Sequence, residues 1–365
     1  MKVILKKIKA YDIISSPSRI SSIDIFRSFA IISVVFFHFN GTIPMGFLGV
    51  DLFFVISGFL IGGILTKLFN KEEPINYFKF VLQRGFKVWP SYYTFLIIGS
   101  FIAYLLYDSI SPEQIIPFSD LKRYLFFYQN YTGVPFHWSF DHVWSLCVEE
   151  HFYLLLPVVF IFVQKTHNKK QVLIWLVAAI IVMGIASKYI MLFYSHSKDT
   201  NSATNNRIDG LAWGVILNFV ILYKGEFVRL YKYKILFFIV GSLLLSLSIY
   251  LELVSTSIVY HKIVFHSLAP FCFALMILGL YYYDFKKIAF LRIIAYYSYN
   301  WYLWHPLFVV FILHQWGYNL WSLSIYLITS FLFAIMFTIL IEEKALAKRD
   351  RVLNKLFDNK KNKNT

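Results

Sequence analysis

Residues 46–63 read GFLGVDLFFVISGFLIGG. Asp51 is the only charged side chain in this run. A helix needs about 20 mainly apolar residues to cross a bilayer, so the stretch predicts a membrane span over 46–66. Just before it, residues 22–38 read SIDIFRSFAIISVVFFH, a shorter apolar run with Arg27 and His38 inside it. A short turn, 41–45, joins the two. Its long flank, interrupted apolar run and Asn40-Gly41-Thr42 argue against the first run being a cleavable signal peptide.

The same reading, carried outward, gives ten candidate spans. They fall at approximately 25–40, 46–66, 88–107, 144–163, 172–193, 208–223, 235–253, 262–283, 293–314 and 321–341. The composition agrees. Of 365 residues, 58% are hydrophobic and 15% charged, against roughly a quarter charged in soluble domains. Aromatic residues make up 20%, with 39 Phe, and the mean hydropathy is +0.61. A soluble globule of this size has no interior large enough for so much apolar surface. That excludes a cytoplasmic enzyme, a disordered chain and a nucleic-acid-binding domain. Cys147 and Cys272 both lie inside apolar runs and give no disulfide framework or metal-ligand spacing.

The net charge of +15 resolves by position. With the N-terminus inside, 28 of the 35 Lys and Arg fall on inner segments and 5 on outer ones, with Arg27 and Lys188 within spans. This follows the positive-inside rule and predicts an all-α, ten-span bundle with both termini cytoplasmic. The expected organisation is a cytoplasmic segment 1–24, a transmembrane domain 25–343 and a basic, fraying tail 344–365. No internal repeat is visible.

Ionisable side chains inside spans are costly and mark protein-lined cavities. Arg27 and His38 are eleven residues apart, three helical turns plus about 20°, so they share one face at about 16 Å axial separation. Asp51 sits near the depth of His38, where a carboxylate can fix a histidine's tautomer. Gly58 and Gly62 form a small-xxx-small pattern suited to close helix packing. In QRGFKVWP, Arg84 and Lys87 share a helical face and suit a phosphate clamp at the inner surface. HVWSLCVEEHFYLLLP carries Glu149 and Glu150, whose side chains point about 100° apart, so one of the two is expected to enter a cavity. NRIDGLAWG brings Arg207 and Asp209, for which an interhelical salt bridge is the simpler reading. In SYNWYLWHPLF, His305 precedes Pro306 and is placed to enter a cavity or to bond the carbonyl that the proline frees. Glu342 and Glu343 in IEEK suit partners for Arg27 or Arg84. The cations thus gather at the inner side, and His38, Asp51, Glu149, Glu150, Asp209 and His305 toward the outer side.

Taken together, these segments resemble the acyltransferase-3 family of bacterial membrane acyltransferases. The likeness rests on Arg27-x10-His38, GFLGVDLFFVISGFLI, RGFKVWP, WSLCVEEHFYLLLP, RIDGLAWG, SYNWYLWHP and IEEK, in the family's order, over about residues 22–345. There are departures. The usual Arg-x-x-Arg is Arg84-Gly85-Phe86-Lys87, which keeps charge but loses a bidentate fork. Cys147 and His151 stand where Ser and Gln are typical. No SGNH-type domain follows the tenth span, so acceptor chemistry is expected within the membrane domain.

The resemblance implies transfer of an acyl group, commonly acetyl from acetyl-CoA, to a hydroxyl of an extracytoplasmic saccharide such as an O-antigen, capsule or exopolysaccharide. It implies a multi-pass protein of the bacterial inner (plasma) membrane, in contact with lipid and not with nucleic acid, and selects no oligomeric state. On this reading Arg27, Arg84 and Lys87 hold the coenzyme A phosphates. His38 is general base or acyl-accepting nucleophile, oriented by Asp51, Glu149 or Glu150. Asp209, His305 and Trp138 are candidates for the acceptor site, and no metal is expected. The rival reading is a secondary transporter of a small solute or lipid-linked saccharide. The G-x-S-x-G elbow and the Walker loop are missing.

Overall fold

The computed structural model describes residues 19–105, 116, 118–131, 139–194, 201–223 and 232–357. The fold is all-α, and no strand occurs among the described residues. Its helices are α1 (Ser21–His38), α2 (Leu48–Asn70), α3 (Tyr77–Leu105), α4 (Phe118–Leu125), α5 (Trp144–Gln164), α6 (Lys169–Tyr194), α7 (Thr204–Leu222), α8 (Lys234–Val254), α9 (Phe265–Leu280), α10 (Ala289–Trp316), α11 (Leu320–Phe337) and α12 (Glu343–Phe357). Each of the ten expected spans coincides with one of these, α4 and α12 being the additional helices.

Eight of the described helices are long and apolar enough to cross a membrane, while α7 and α10 are not. The reason lies in what surrounds them. In α7, 14 of 19 residues are buried inside the protein, against two of 21 in the apolar α8. A helix walled in by other helices does not need lipid-compatible side chains. Accordingly α7 carries Asn206, Arg207, Asp209 and Asn218 in buried positions. In α10, buried Tyr, Trp, Asn and His positions lower the hydropathy in the same way.

The main packing pairs are α2 with α7, α8 with α9, α10 with α11, α6 with α7, and α1 with α10 and α2. Helices approach closely in apolar surroundings where small residues let the backbones touch. At Gly58 a Cβ would lie 1.9 Å from the Leu211 carbonyl oxygen, and at Gly214 one would lie 2.1 Å from that of Val55. This contact fixes α2 against α7. Between α10 and α11 the chain reverses at Gly317 (φ +63°), a conformation glycine adopts without strain. Asn319 then caps α11 through its side-chain oxygen and the Ser322 amide, 2.9 Å.

The segment after Lys344, expected to fray, is helical to Phe357. Here α12 packs on α3 and buries Leu353, which is 1% exposed. One apolar contact face is enough to order an otherwise basic tail.

Candidate active site

Among the described residues, two cavities enter the bundle beside the ionisable side chains singled out above. The first, of ≈ 140 Å³, is lined by Arg27, Arg84, Lys87 and Glu149 on an otherwise largely apolar wall that includes Phe53, Leu60 and Ile61. The second, of ≈ 480 Å³, is lined by His38, His142, Arg207 and His266 with the aromatic rings of Phe47 and Trp144. Val50 and Tyr302 line both. The two ends of the Arg27-x10-His38 face therefore open into different chambers that share a wall.

In the first chamber the three cations differ in their ties. Arg27 donates from Nη2 to Ser298 Oγ at 3.1 Å. Lys87 forms an ion pair with the buried Glu342, whose other oxygen accepts from Asn300 Nδ2 at 2.8 Å. Arg84 makes no ion pair among the described residues. Glu342 therefore serves Lys87, not Arg27 or Arg84, and Glu343 accepts from Tyr296 Oη at 2.8 Å.

The two adjacent glutamates diverge as helical geometry requires. Glu149 enters the first chamber and accepts from Tyr153 Oη at 2.6 Å. The phenol hydrogen is thereby committed, so Ser57, 2.7 Å from the same oxygen, is the donor there. Glu150 turns to α3 and accepts from Trp89 Nε1 at 3.0 Å. Glu149 thus shares a chamber with the cations and not with His38.

The second chamber holds a histidine cluster. A backbone carbonyl only accepts, so a ring nitrogen facing one carries the hydrogen. His38 Nδ1 lies 2.8 Å from the Val34 oxygen, which leaves the lone pair on Nε2. His305 Nδ1 lies 3.0 Å from the Trp301 oxygen and 2.8 Å from that of Tyr302. The Tyr302 carbonyl is the one that Pro306 deprives of its helical partner. His305 Nε2 in turn faces His38 Nδ1 at 3.3 Å. His305 both repairs the proline break and steadies His38. His142 completes the cluster, its ring centroid 5.6 Å from that of His305. Sequence reasoning did not single out His142, because a histidine at the head of a loop-to-helix transition carries no spacing signal.

Asp51 does not orient His38. Its Oδ1 accepts from Arg207 Nη2 at 2.6 Å, both side chains being at most 4% exposed. Arg207 also donates from Nη1 to His266 Nδ1 at 2.9 Å, and its guanidinium lies 5.8 Å from the Phe54 ring centroid and 5.6 Å from that of Trp144. Asp209 likewise forms an interhelical salt bridge, the simpler reading of both residues, with Lys188 Nζ at 2.5 Å, in a pair at most 2% exposed. His151 meets Thr204 Oγ1 at 2.7 Å through Nδ1. Trp138 lies outside the described residues. Cys147 and Cys272 are free and buried. No cluster of metal ligands occurs among the described residues.

An all-α bundle of mostly membrane-length helices, with cations in one chamber and histidines in the next, defines a polytopic membrane protein with an internal polar site. The chain belongs to the acyltransferase-3 family, whose acyltransferase domain matches residues 20–342. It is similar to O-acetyltransferase OatA of Staphylococcus aureus strain NCTC 8325 / PS 47, 29% identical over 230 residues covering 59% of this chain and 37% of that protein. The OatA of strain COL matches to the same extent. The chain therefore aligns with little more than a third of the length of these relatives. No solved structure matches.

Proposed function

We propose that this protein is a membrane O-acetyltransferase that carries an acetyl group from cytoplasmic acetyl-CoA to a hydroxyl of an extracytoplasmic saccharide. The observation that supports this reading is the pair of chambers sharing Val50 and Tyr302, cationic on one side and histidine-lined on the other. The positive-inside count orients the cationic chamber to the cytoplasm and both termini with it.

The donor's phosphates meet Arg84 and Arg27, neither of which makes an ion pair among the described residues, with Lys87 beside them. The thin pantetheine arm extends along the apolar wall toward the septum. In the outer chamber, His38 Nε2 takes the proton of the acceptor hydroxyl while its oxygen attacks the thioester carbonyl. The carbon–sulfur bond breaks, the acetyl ester forms and coenzyme A leaves as the thiol, its proton returned from His38. The tautomer supports the general-base role: Nδ1–H is tied to the Val34 carbonyl, which leaves the lone pair on Nε2.

The test is His38→Gln in the cell that expresses the protein, reading acetate released by alkali from surface glycan. A positioned base contributes about 10²–10⁴-fold, so acetylation should fall to background while the protein stays in the membrane at normal level. Undiminished acetate release would sink the proposal.

A further inference from the structure

We propose that His266 is a hydrogen-bond donor to the saccharide acceptor, held in one neutral tautomer by the Asp51–Arg207 pair. The inference rests on the acyl-transfer reading above. It joins three helices: Asp51 from α2, Arg207 from α7 and His266 from α9. The links are 2.6 Å from Arg207 Nη2 to Asp51 Oδ1 and 2.9 Å from Arg207 Nη1 to His266 Nδ1.

A guanidinium has five N–H donors and no acceptor. The ring nitrogen it meets must therefore accept, so the single hydrogen of the neutral His266 ring sits on Nε2. An imidazolium there would set N–H against N–H. His266 can give a hydrogen bond to a ligand but cannot take a proton from one. His38, on the wall of the same ≈ 480 Å³ chamber, has the opposite tautomer, with its hydrogen on Nδ1 and its lone pair on Nε2. The chamber thus offers one nitrogen that accepts a proton and another that donates a hydrogen bond.

That pairing suits a ligand presenting a hydroxyl beside a second oxygen, which is the chemistry of a sugar ring. His38 removes the proton from the reacting hydroxyl, and His266 Nε2–H holds a neighbouring oxygen. The aromatic rings of Phe47 and Trp144 give the wall stacking faces, and Glu252 and Lys262 supply polar groups at the same chamber. A π-helical turn, Tyr260–Val264, leads directly into α9, a distortion frequent at functional sites. The ties of Arg207 to Asp51 and two aromatic faces leave the guanidinium no freedom to rotate away. Asp51 and Arg207 are positioning residues in this arrangement.

Glutamine separates a donor from a base, because its carboxamide N–H₂ can stand in for Nε2–H but cannot take up a proton. In membranes given radiolabelled acetyl-CoA and their endogenous glycan, His266→Gln should keep transfer within about threefold. His266→Phe should lower it about 10–100-fold, the cost of one hydrogen bond left unmade, while His38→Gln abolishes it. Equal loss in His266→Gln and His266→Phe, or no loss in either, overturns the proposal. A second measurement is independent of turnover. Nitrogen NMR of ¹⁵N-histidine-labelled protein in nanodiscs should show His266 protonated at Nε2, with Arg207→Met releasing it to a mixture of tautomers. A ring protonated at Nδ1 in the wild type overturns the proposal. If the wild type transfers no acetyl from acetyl-CoA, the proposed function fails, and the NMR result still decides the state of His266.

Discussion

Arg84 and Lys87 sit three residues apart on α3, yet their surroundings make them different reagents. Arg84 makes no ion pair among the described residues, with Glu149 on the wall of the same chamber, so its guanidinium is available to a phosphate. Lys87 is already paired with Glu342. Arg84→Ala should therefore raise the Michaelis constant for acetyl-CoA by about tenfold or more, the worth of a charge-assisted hydrogen bond, with a small effect on the maximal rate. Lys87→Ala should show mainly in stability, because it strands the Glu342 carboxylate, with a loss of about 1–3 kcal/mol. Steady-state kinetics and thermal unfolding of the purified variants separate the two; an unchanged donor constant in Arg84→Ala overturns the phosphate role. The Lys188–Asp209 pair is a matter of stability in the same way. Lys188→Met leaves a buried carboxylate uncompensated, at about 3–5 kcal/mol. The double change Lys188→Met with Asp209→Leu should restore most of that and leave transfer intact. Failure of the double variant to transfer would return Asp209 to the acceptor site.

At the scale of the element, the contact of α2 with α7 sets the register of the charged pair above it. Asp51 lies seven residues before Gly58, and Arg207 seven before Gly214, two turns in each helix. Gly58→Val would drive α2 and α7 apart and misalign the 2.6 Å pair. The expected result is a loss of at least about 1–3 kcal/mol from overpacking and loss of activity, read as a lowered melting temperature and reduced acetyl transfer. This packing was legible in the small-xxx-small spacing, and so were all ten helices, since apolar runs of membrane length admit few other structures. The order of the tail was not legible. A basic, Asn/Lys-rich composition predicts solvation, and only the neighbouring surface of α3 decides otherwise.

For the molecule as a whole, Val50 and Tyr302 line both chambers, and on the proposed function this shared wall separates donor binding from reaction. If the donor's arm crosses at this wall, Val50→Trp should block the crossing. It should stop transfer and leave the affinity for coenzyme A within about twofold, as titration calorimetry of the free coenzyme would read it. Transfer persisting through a tryptophan at this position would mean that the chambers do not communicate there. The separation of cations from histidines was readable from depth along α1, because helical rise converts residue number directly into distance. The partners were not readable. Asp51 and His38 share a depth, but depth says nothing of azimuth, and the α2–α7 contact turns Asp51 to Arg207. Likewise Glu149 and Glu150 differ only by a rotation that the packing of α5 assigns.

The polarity of α7 also bears on how the protein is made. A segment bearing Arg207 and Asp209 is poorly suited to enter lipid alone. Lys188 on the preceding α6 lies opposite Asp209, and α6 itself is apolar and long enough to span. The two helices have the makings of a hairpin that partitions together, with one charge cancelling the other before α2 closes around Arg207. Biogenesis at the translocon would then depend on Lys188, a residue that lines neither chamber.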